Sequence, residues 1–300
     1  MLIRALSGNE KNIVTNGRSA VLRRILIFLF LVLAISGCSR FKMLYSFGSE
    51  VIQREAEYYL DLTEEEEAAL SLSVDNLVLW HRRMMLPRYA AFFKEVAVRL
   101  DEGPLGSPAV EAMIVRMRRL LKETIGGASP IVAGVLVSHT TPQKVAHLRD
   151  RIDERLSERR AEDETERAEW VQERTERVAK RFESLCGELS LAQEAIVRRY
   201  FEGKADSRQR WQEMREKRQR ALVNFLTERP NRQSIDGFLP RILFHSEEIV
   251  GPEYKALADT WWARFTGWFV EIEASLSPAQ RAHLAKTLRD YANDMIDLAA

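Results

Sequence analysis

The sequence of 300 residues predicts an all-α fold, an irregular helical bundle with one long protruding helix. Apolar residues recur three and four positions apart along most of the chain, and the two-residue alternation of a half-buried strand is nearly absent. Serine or threonine, followed three residues later by glutamate or glutamine, precedes several of these segments, and this pattern marks a helix start. Glycine and proline fall mainly between the segments, where they end helices.

The N-terminal residues have the pattern of a secretion signal with a lipid attachment site. Arginines precede an unbroken apolar run over residues 25–35, and Ser36, Gly37 and Cys38 follow it. A run of this length is typical of a signal peptide and is too short to span a bilayer core of about 30 Å at about 1.5 Å per residue. An ordinary cleaved signal, or a buried apolar helix with a chance cysteine, is the alternative.

The four residues that end in Cys38 resemble the lipobox of bacterial lipoproteins, which implies cleavage before this cysteine and diacylation of its thiol. Each buried methylene contributes about 0.8 kcal/mol, so two or three acyl chains hold a protein firmly to membrane lipid. An aspartate after the cysteine would favour the inner membrane, and Ser39 therefore implies the outer membrane, facing the periplasm. We expect a signal peptide over 1–37, a lipidated spacer over 38–48 and a helical periplasmic domain over 49–300.

The first predicted helices follow this spacer. A short amphipathic helix begins at Ser49, and a second begins at Thr63 with four consecutive glutamates in its first turn, where negative charge suits the helix dipole. Pro87 either kinks the second helix or begins a new one, because proline removes a backbone donor and clashes with the preceding turn.

The next predicted helices lie between glycine and proline signals. One helix covers 107–125 and is expected to stop at Gly126 and Gly127, and a short apolar helix covers 130–137. Residues 142–185 contain no helix breaker after Pro142 and predict one helix about 66 Å long. Because residues 157–169 offer only alanine as apolar side chains, the middle of this helix should project through solvent.

The C-terminal third predicts further helices, of which the one over 203–226 has a basic-rich surface. Another, which starts at Ser234, is kinked or interrupted at Pro240. The last two helices begin at Gly251 and Ser277.

One cap pattern occurs four times, with a hydroxyl residue at Thr63, Thr141, Ser190 and Ser277. The residues three positions further on are Glu66, Lys144, Gln193 and Gln280. Three of the four copies satisfy the capping-box rule, and the copy with lysine departs from it because lysine cannot accept a hydrogen bond. The unequal spacing of the copies excludes a regular solenoid, and the simplest interpretation is that they are good helix starts.

These features together resemble an uncharacterised lipoprotein family of Gram-negative bacteria, filed as a domain of unknown function. The resemblance rests on the lipobox, a tyrosine-rich helix before Asp61-Leu62-Thr63, the stretches LWHRR (79–83) and LPRY (86–89), and the LSxAQ-like caps. It covers roughly 45–300 and implies an all-helical fold and lipidation, with no reaction or ligand. More distantly, the caps are similar to the LTxxQ motif of small periplasmic stress chaperones, although serine replaces threonine in two copies and glutamine is missing from the first two.

Charge and motifs narrow the function classes. Removal of 1–37 leaves 40 basic and 43 acidic residues, a balance that argues against a nucleic-acid partner, which usually meets a concentrated basic face. The five histidines show no metal-ligand spacing, no catalytic motif is present, and no metal, cofactor or enzymatic activity is expected. Cys186 has apolar neighbours in sequence and is predicted to be a buried thiol.

Two features are candidate binding sites. The first is the basic and aromatic stretch His81, Arg82, Arg83, Arg88 and Tyr89, which suits an anionic group or an acidic partner side chain; the alternative is a solvated kink at Pro87.

The second is the aromatic cluster over 261–269. With Trp261, Phe265, Trp268 and Phe269 turned inward, Trp262 is expected to point outward, toward a partner or membrane; the alternative is core packing.

The leading functional hypothesis is a non-catalytic, tethered binding or scaffolding protein of the cell envelope with an unidentified envelope protein partner. An ATP-independent periplasmic chaperone is the alternative, motivated by the repeated caps and by basic, aromatic-bearing faces. An enzyme of unknown class is the third.

Overall fold

The computed structural model describes residues 39–163 and 166–300, and these form helices and short connections without a strand. The predicted all-α bundle is confirmed. The signal segment and the lipidation site at Cys38 lie outside the described residues. The helices are α1 Ser39–Ser46, α2 Gly48–Tyr59, α3 Glu64–Met84, α4 Leu86–Asp101, α5 Gly106–Leu136, α6 Pro142–Asp163, α7 Arg167–Cys186, α8 Leu191–Ala205, α9 Arg208–Thr227, α10 Arg232–Phe244, α11 Glu247–Val250, α12 Pro252–Ser275 and α13 Pro278–Ala299.

The segment expected to be a spacer is part of the bundle. Helix α1 lies against the C-terminal helix α13, and Phe41 and Tyr45 pack beside buried Ala292 and Met295. The ring centroids of Phe41 and Tyr291 are 5.9 Å apart. The chain is therefore folded from its first described residue.

Pro87 begins a new helix. Helix α3 ends at Met84, and α4 starts at Leu86 with the proline in its first turn, where the missing N–H leaves no intrahelical bond unmade. Met85 and Leu86, at the junction, are both buried.

Among the described helices, α4 and α13 make the most extensive contact. Ala90 lies in one cluster with Ala292, and Ala97 lies in another with Ala285, so the two helices run antiparallel. All four alanines are fully buried, and each pair of positions on one helix is seven residues apart. Small side chains at this repeat let the two backbones approach closely, and the burial of large neighbours such as Leu86 and Leu100 follows from that contact.

The helix predicted to stop at Gly126-Gly127 instead continues, as α5, to Leu136. Gly127 lies against the indole of Trp80, and a Cβ atom on it would be 1.9 Å from a ring carbon. The glycine thus serves helix packing. Pro130 stands inside the same helix, and its carbonyl accepts a hydrogen bond of 3.0 Å from Arg232 of α10.

By length and composition alone, one stretch of the described chain, Gly106–His139, is apolar enough to cross a membrane. Helices of soluble proteins also meet this criterion. Here the stretch packs against α10 and α12, Ala133 is fully buried, and Ser129 donates a hydrogen bond of 2.9 Å to the Asp236 carbonyl.

The single helix expected over 142–185 is instead two helices, α6 and α7. Glu166, just before α7, has the extended backbone angle ψ of 141°. The two halves belong to different cores, because Leu156 packs with α9 and α10 while Trp170 packs with α8 and α12. The charged middle predicted to project through solvent contains the end of α6 and the start of α7.

The four caps associate in two pairs. The hydroxyls of Ser190 and Ser277 accept hydrogen bonds from the backbone N–H groups of Gln193 and Gln280. In return, the backbone N–H of each serine donates a hydrogen bond of 2.9 Å to the side-chain oxygen of that glutamine. The two glutamine side chains also bond to each other, with Nε2 to Oε1 distances of 2.9 Å in both directions. Each amide also donates to a backbone carbonyl just before the opposite cap. Gln193 donates to the carbonyl of Ser275, and Gln280 donates to that of Glu188.

The other two caps are joined by an ion pair. Thr63 and Glu66 form a capping box, the Thr141 hydroxyl accepts from Lys144 N–H at 3.4 Å, and the Lys144 ammonium binds the Glu66 carboxylate. Lysine at the third position of that cap, which the capping-box rule does not explain, is therefore the partner of Glu66. The hydrogen bond from Lys144, and after it the bond from the Thr63 backbone, lower the pKa of Glu66 to about 2.

Candidate functional site

A large open cavity lies between α5, α7, α8, α9 and the segment α10–α12. Its volume is about 850 Å³, within the range of small-molecule binding sites. It lies on one side of the core formed by Trp170, Phe201 and Trp268, so packed helices define its walls.

The lining of the cavity is strongly cationic. Among the described residues, the lining contains ten lysines and arginines and two acidic residues, Glu247 and Asp259. The basic residues are Arg118, Lys122, Arg159, Arg174, Arg177, Arg181, Lys204, Arg208, Arg215 and Lys255. Low-dielectric walls around like charges concentrate their field, so the cavity attracts anions.

Helix α7 supplies three of these cations as a regular ladder. Val171, Thr175 and Ala179 recur every four residues and are buried, which fixes the rotation of the helix. Arg174, Arg177 and Arg181 recur three and four positions apart, so they share another face, and this face borders the cavity.

Six of the cations in this lining form no ion pair with a described residue. In the described part of the chain, no carboxylate lies within 4 Å of the charged groups of Arg118, Lys122, Arg174, Arg177, Arg181 or Lys204. Elsewhere on the surface ion pairs are common, as between Arg88 and Glu123 at 2.6 Å. Burial, and after it the charge of Arg174, lowers the pKa of Lys204.

Aromatic rings also lie next to several cations of this lining. The Arg118 guanidinium lies 4.1 Å from the ring centroid of Trp262, and Lys122 lies 5.5 Å from that of Phe244. Arg174 and Arg208 lie 5.6 Å and 5.5 Å from the ring of Trp170. Seven aromatic side chains line the cavity, and the apolar residues Leu121, Val178, Leu243 and Ala258 extend this surface. The site can hold a ligand that combines negative charge with a ring or a hydrocarbon part.

The predicted binding stretch around Pro87 lies elsewhere, and its side chains contact one another and the bundle. His81 Nδ1 and the Tyr45 hydroxyl are 2.8 Å apart, and burial lowers the pKa of His81. The Arg82 guanidinium lies 5.3 Å from the Tyr45 ring, and the Tyr89 hydroxyl bonds Thr124.

The two remaining basic residues of that stretch are exposed. Arg88 pairs with Glu123, while Arg83 lies on the surface of α3. The five residues do not converge on the cavity.

One residue of the aromatic cluster, Phe269, departs from its prediction. Trp262 lines the cavity and is half-buried, with its ring 4.6 Å from that of Trp261. Phe269, expected to point inward, has 36% of its surface exposed. Trp268 is buried as expected.

Sequence reasoning missed the arginine ladder of α7. Its spacing is visible in the sequence, but most exposed arginines at such spacings belong to solvated helix faces. The ladder differs from an ordinary solvated helix face because α5, α8 and α9 pack near it and form a cavity with it.

Among the described residues, no group of three or more histidine, cysteine, aspartate or glutamate side chains is placed to hold a metal ion. Cys186 is buried as predicted, its thiol donates to the Phe182 carbonyl at 3.1 Å, and burial raises its pKa.

The chain belongs to a family of unknown function (DUF6279), which matches residues 58–255. This confirms the expected membership of an uncharacterised family. The matched range includes the caps at Thr63, Thr141 and Ser190 and the arginine ladder of α7; it ends before Trp261 and Trp262. Comparison with curated proteins and with solved structures gives no match.

Proposed function

We propose that this protein is a non-catalytic binding protein of the cell envelope whose cavity takes an anionic ligand with an aromatic or hydrocarbon part. The observation that supports this most directly is that the described lining of a ligand-sized cavity contains ten basic and two acidic residues. Six of these cations form no ion pair with a described residue, so their mutual repulsion raises the energy of the empty site, and an anion relieves that repulsion. The absence of catalytic motifs from the sequence favours binding over chemistry.

The proposal includes the lipid modification and the location that the lipobox implies. These are acylation of Cys38 and a position at the outer membrane, facing the periplasm. The first described helix, α1, starts directly after Cys38 and packs on α13. A lipid tether at Cys38 would therefore hold the whole bundle next to the bilayer. Cys38→Ala should abolish labelling by a palmitate analogue in cells. Labelling that persists would contradict the tether but leave the cavity unaffected.

Binding is tested with naphthalene-1,5-disulfonate, which is both anionic and aromatic, added to the full chain in a non-ionic detergent. Quenching of tryptophan fluorescence should saturate, because Trp170, Trp211, Trp261 and Trp262 line the site. Arg177→Glu should weaken binding about tenfold or more, since it removes one cation and adds a repulsive charge.

The matched control is Lys180→Glu, an exposed residue of the same helix that does not line the cavity. It changes the net charge equally and should leave the affinity within about twofold. Absence of saturable quenching, or equal losses in the two variants, would refute the proposed binding site.

The chaperone hypothesis stays a prediction. Of its two motives, the repeated caps pair with one another between helices, which favours a structural role for them. Scaffolding of an envelope protein partner likewise stays untested.

A further inference from the structure

We infer that the ligand of this cavity carries two or more phosphate groups that bind along the arginine ladder of α7. The inference rests on the proposed function and narrows it to one ligand class. It follows from the length of the ladder, the cations that face it and the kind of cation used.

The ladder is longer than a single small anion. Arg174 and Arg181 are seven residues apart, which is about 10 Å along the helix axis, with Arg177 between them. One phosphate reaches one or two of these guanidinium groups. A ligand with successive phosphates reaches all three.

A second wall faces the N-terminal end of the ladder. Arg174 of α7 and Arg208 of α9 lie at nearly equal distances from the ring of Trp170, and Lys204 of α8 lies 5.9 Å from the neighbouring ring of Phe201. Three helices therefore bring three cations to one end of the cavity. A phosphate placed there would be held from several sides.

A third group of cations comes from α5. Arg118 and Lys122 are one helical turn apart and both line the cavity. The charged group of Arg118 lies over the ring of Trp262, and that of Lys122 lies over the ring of Phe244. The positive charge is thus spread over more than one subsite, and one monoanion reaches only one of these groups of cations.

Arginine dominates the lining, with seven arginines among the ten basic residues. The planar guanidinium donates two parallel hydrogen bonds to a phosphate, whereas lysine acts as a point charge. Carboxylates accept the same fork, but a chain of phosphates presents more charge per length of ligand. The same phosphate chemistry is found in lipid headgroups and in free polyphosphates.

The inference is tested by calorimetric titration of the full chain in non-ionic detergent at about 0.15 M ionic strength, where long-range effects are screened. The probes are sodium orthophosphate, sodium tripolyphosphate and sodium citrate. Tripolyphosphate should bind about 30-fold more tightly than orthophosphate and about tenfold more tightly than citrate, since it alone engages the ladder along its length.

Two variants separate charge from geometry. Arg177→Lys keeps the charge but loses the fork and should weaken tripolyphosphate binding about fivefold. Arg177→Glu should weaken it about 30-fold or more, and the control Lys180→Glu should stay within about twofold.

Competition distinguishes the two sources of phosphate. Mixed micelles that contain cardiolipin, which has two phosphates, are compared with micelles that contain phosphatidylcholine. Displacement of tripolyphosphate by cardiolipin alone assigns the site to lipid phosphates, and no displacement by either assigns it to soluble polyphosphates.

The contradicting results are separable. Citrate binding as tightly as tripolyphosphate, or Arg177→Lys behaving like the unmodified protein, would overturn the phosphate inference and leave anion binding intact. If neither these anions nor naphthalene-1,5-disulfonate bound, the proposed function would fall as well.

Discussion

Single residues at the third position of each cap determine which helix starts meet. Glutamine is suited to a symmetric pair because its amide both donates and accepts, so Gln193 and Gln280 bond each other as well as their own caps. Glutamate and lysine form an asymmetric pair, Glu66 with Lys144. The departure from the capping-box rule at Lys144 is thus a tertiary requirement.

The pair of Glu66 and Lys144 predicts a local dependence of stability on pH. Because the pKa of Glu66 falls to about 2 on folding, its contribution is complete above the unfolded pKa near 4.5 and is lost as pH falls toward 2. Lys144→Met should lower the free energy of unfolding by about 1 kcal/mol at pH 7 and should make the fall between pH 4.5 and 2 shallower. Urea titrations at several pH values measure both.

The control for this prediction is Lys286→Met, which removes an exposed pair with Asp290. It should leave the acid slope unchanged. A slope in Lys144→Met as steep as in the unmodified protein would mean that Glu66 does not respond to this lysine.

At the level of helices, the sequence signals for helix ends were reliable where they concerned caps and less so where they concerned glycine. Gly126 and Gly127 are adjacent in α5, yet the structure gives them different roles. Nothing lies within 4 Å of a Cβ built on Gly126, whereas Gly127 contacts Trp80. From neighbouring residues alone, a pair of glycines predicts the end of a helix. The sequence does not show that Trp80, which is distant along the chain, packs on Gly127.

Alanine substitutions at the two glycines should therefore have opposite effects. Gly126→Ala should raise the free energy of unfolding by about 0.5–1 kcal/mol through helix propensity. Gly127→Ala should lower it by about 1–3 kcal/mol, because the methyl group displaces the indole of Trp80. Thermal unfolding followed by circular dichroism compares the two variants, and stabilisation by both would show that α5 and α3 are not in contact there.

For the molecule as a whole, the nearly neutral net charge gave no sign that basic side chains are concentrated around one cavity. The near balance of the chain argued against a concentrated basic surface, yet among the described residues ten basic and two acidic side chains line one cavity. Helix periodicity placed each arginine on a helix face, and packing then brought faces of α5, α7, α8 and α9 together.

Self-repulsion in the cavity should reduce the stability of the unliganded protein. Arg177→Glu is expected to raise the free energy of unfolding by about 0.5–1 kcal/mol at low salt, and this gain should shrink as salt screens the site. Lys180→Glu should show little gain. Chemical denaturation of the full chain at two ionic strengths measures the difference, and destabilisation by Arg177→Glu at low salt would contradict the assignment of unbalanced charge.

The sequence alone was enough to predict most helices, their caps and the buried stripes, because these depend on neighbours within a few residues. It also showed the resemblance to an uncharacterised family. It did not predict the break between α6 and α7, the pairing of caps or the cationic cavity. Periodicity specifies which face of a helix is buried, but not which other helix it meets. Partner choice depends on the packing of small and large side chains over the whole bundle, and the site exists only where those choices bring separate helices together.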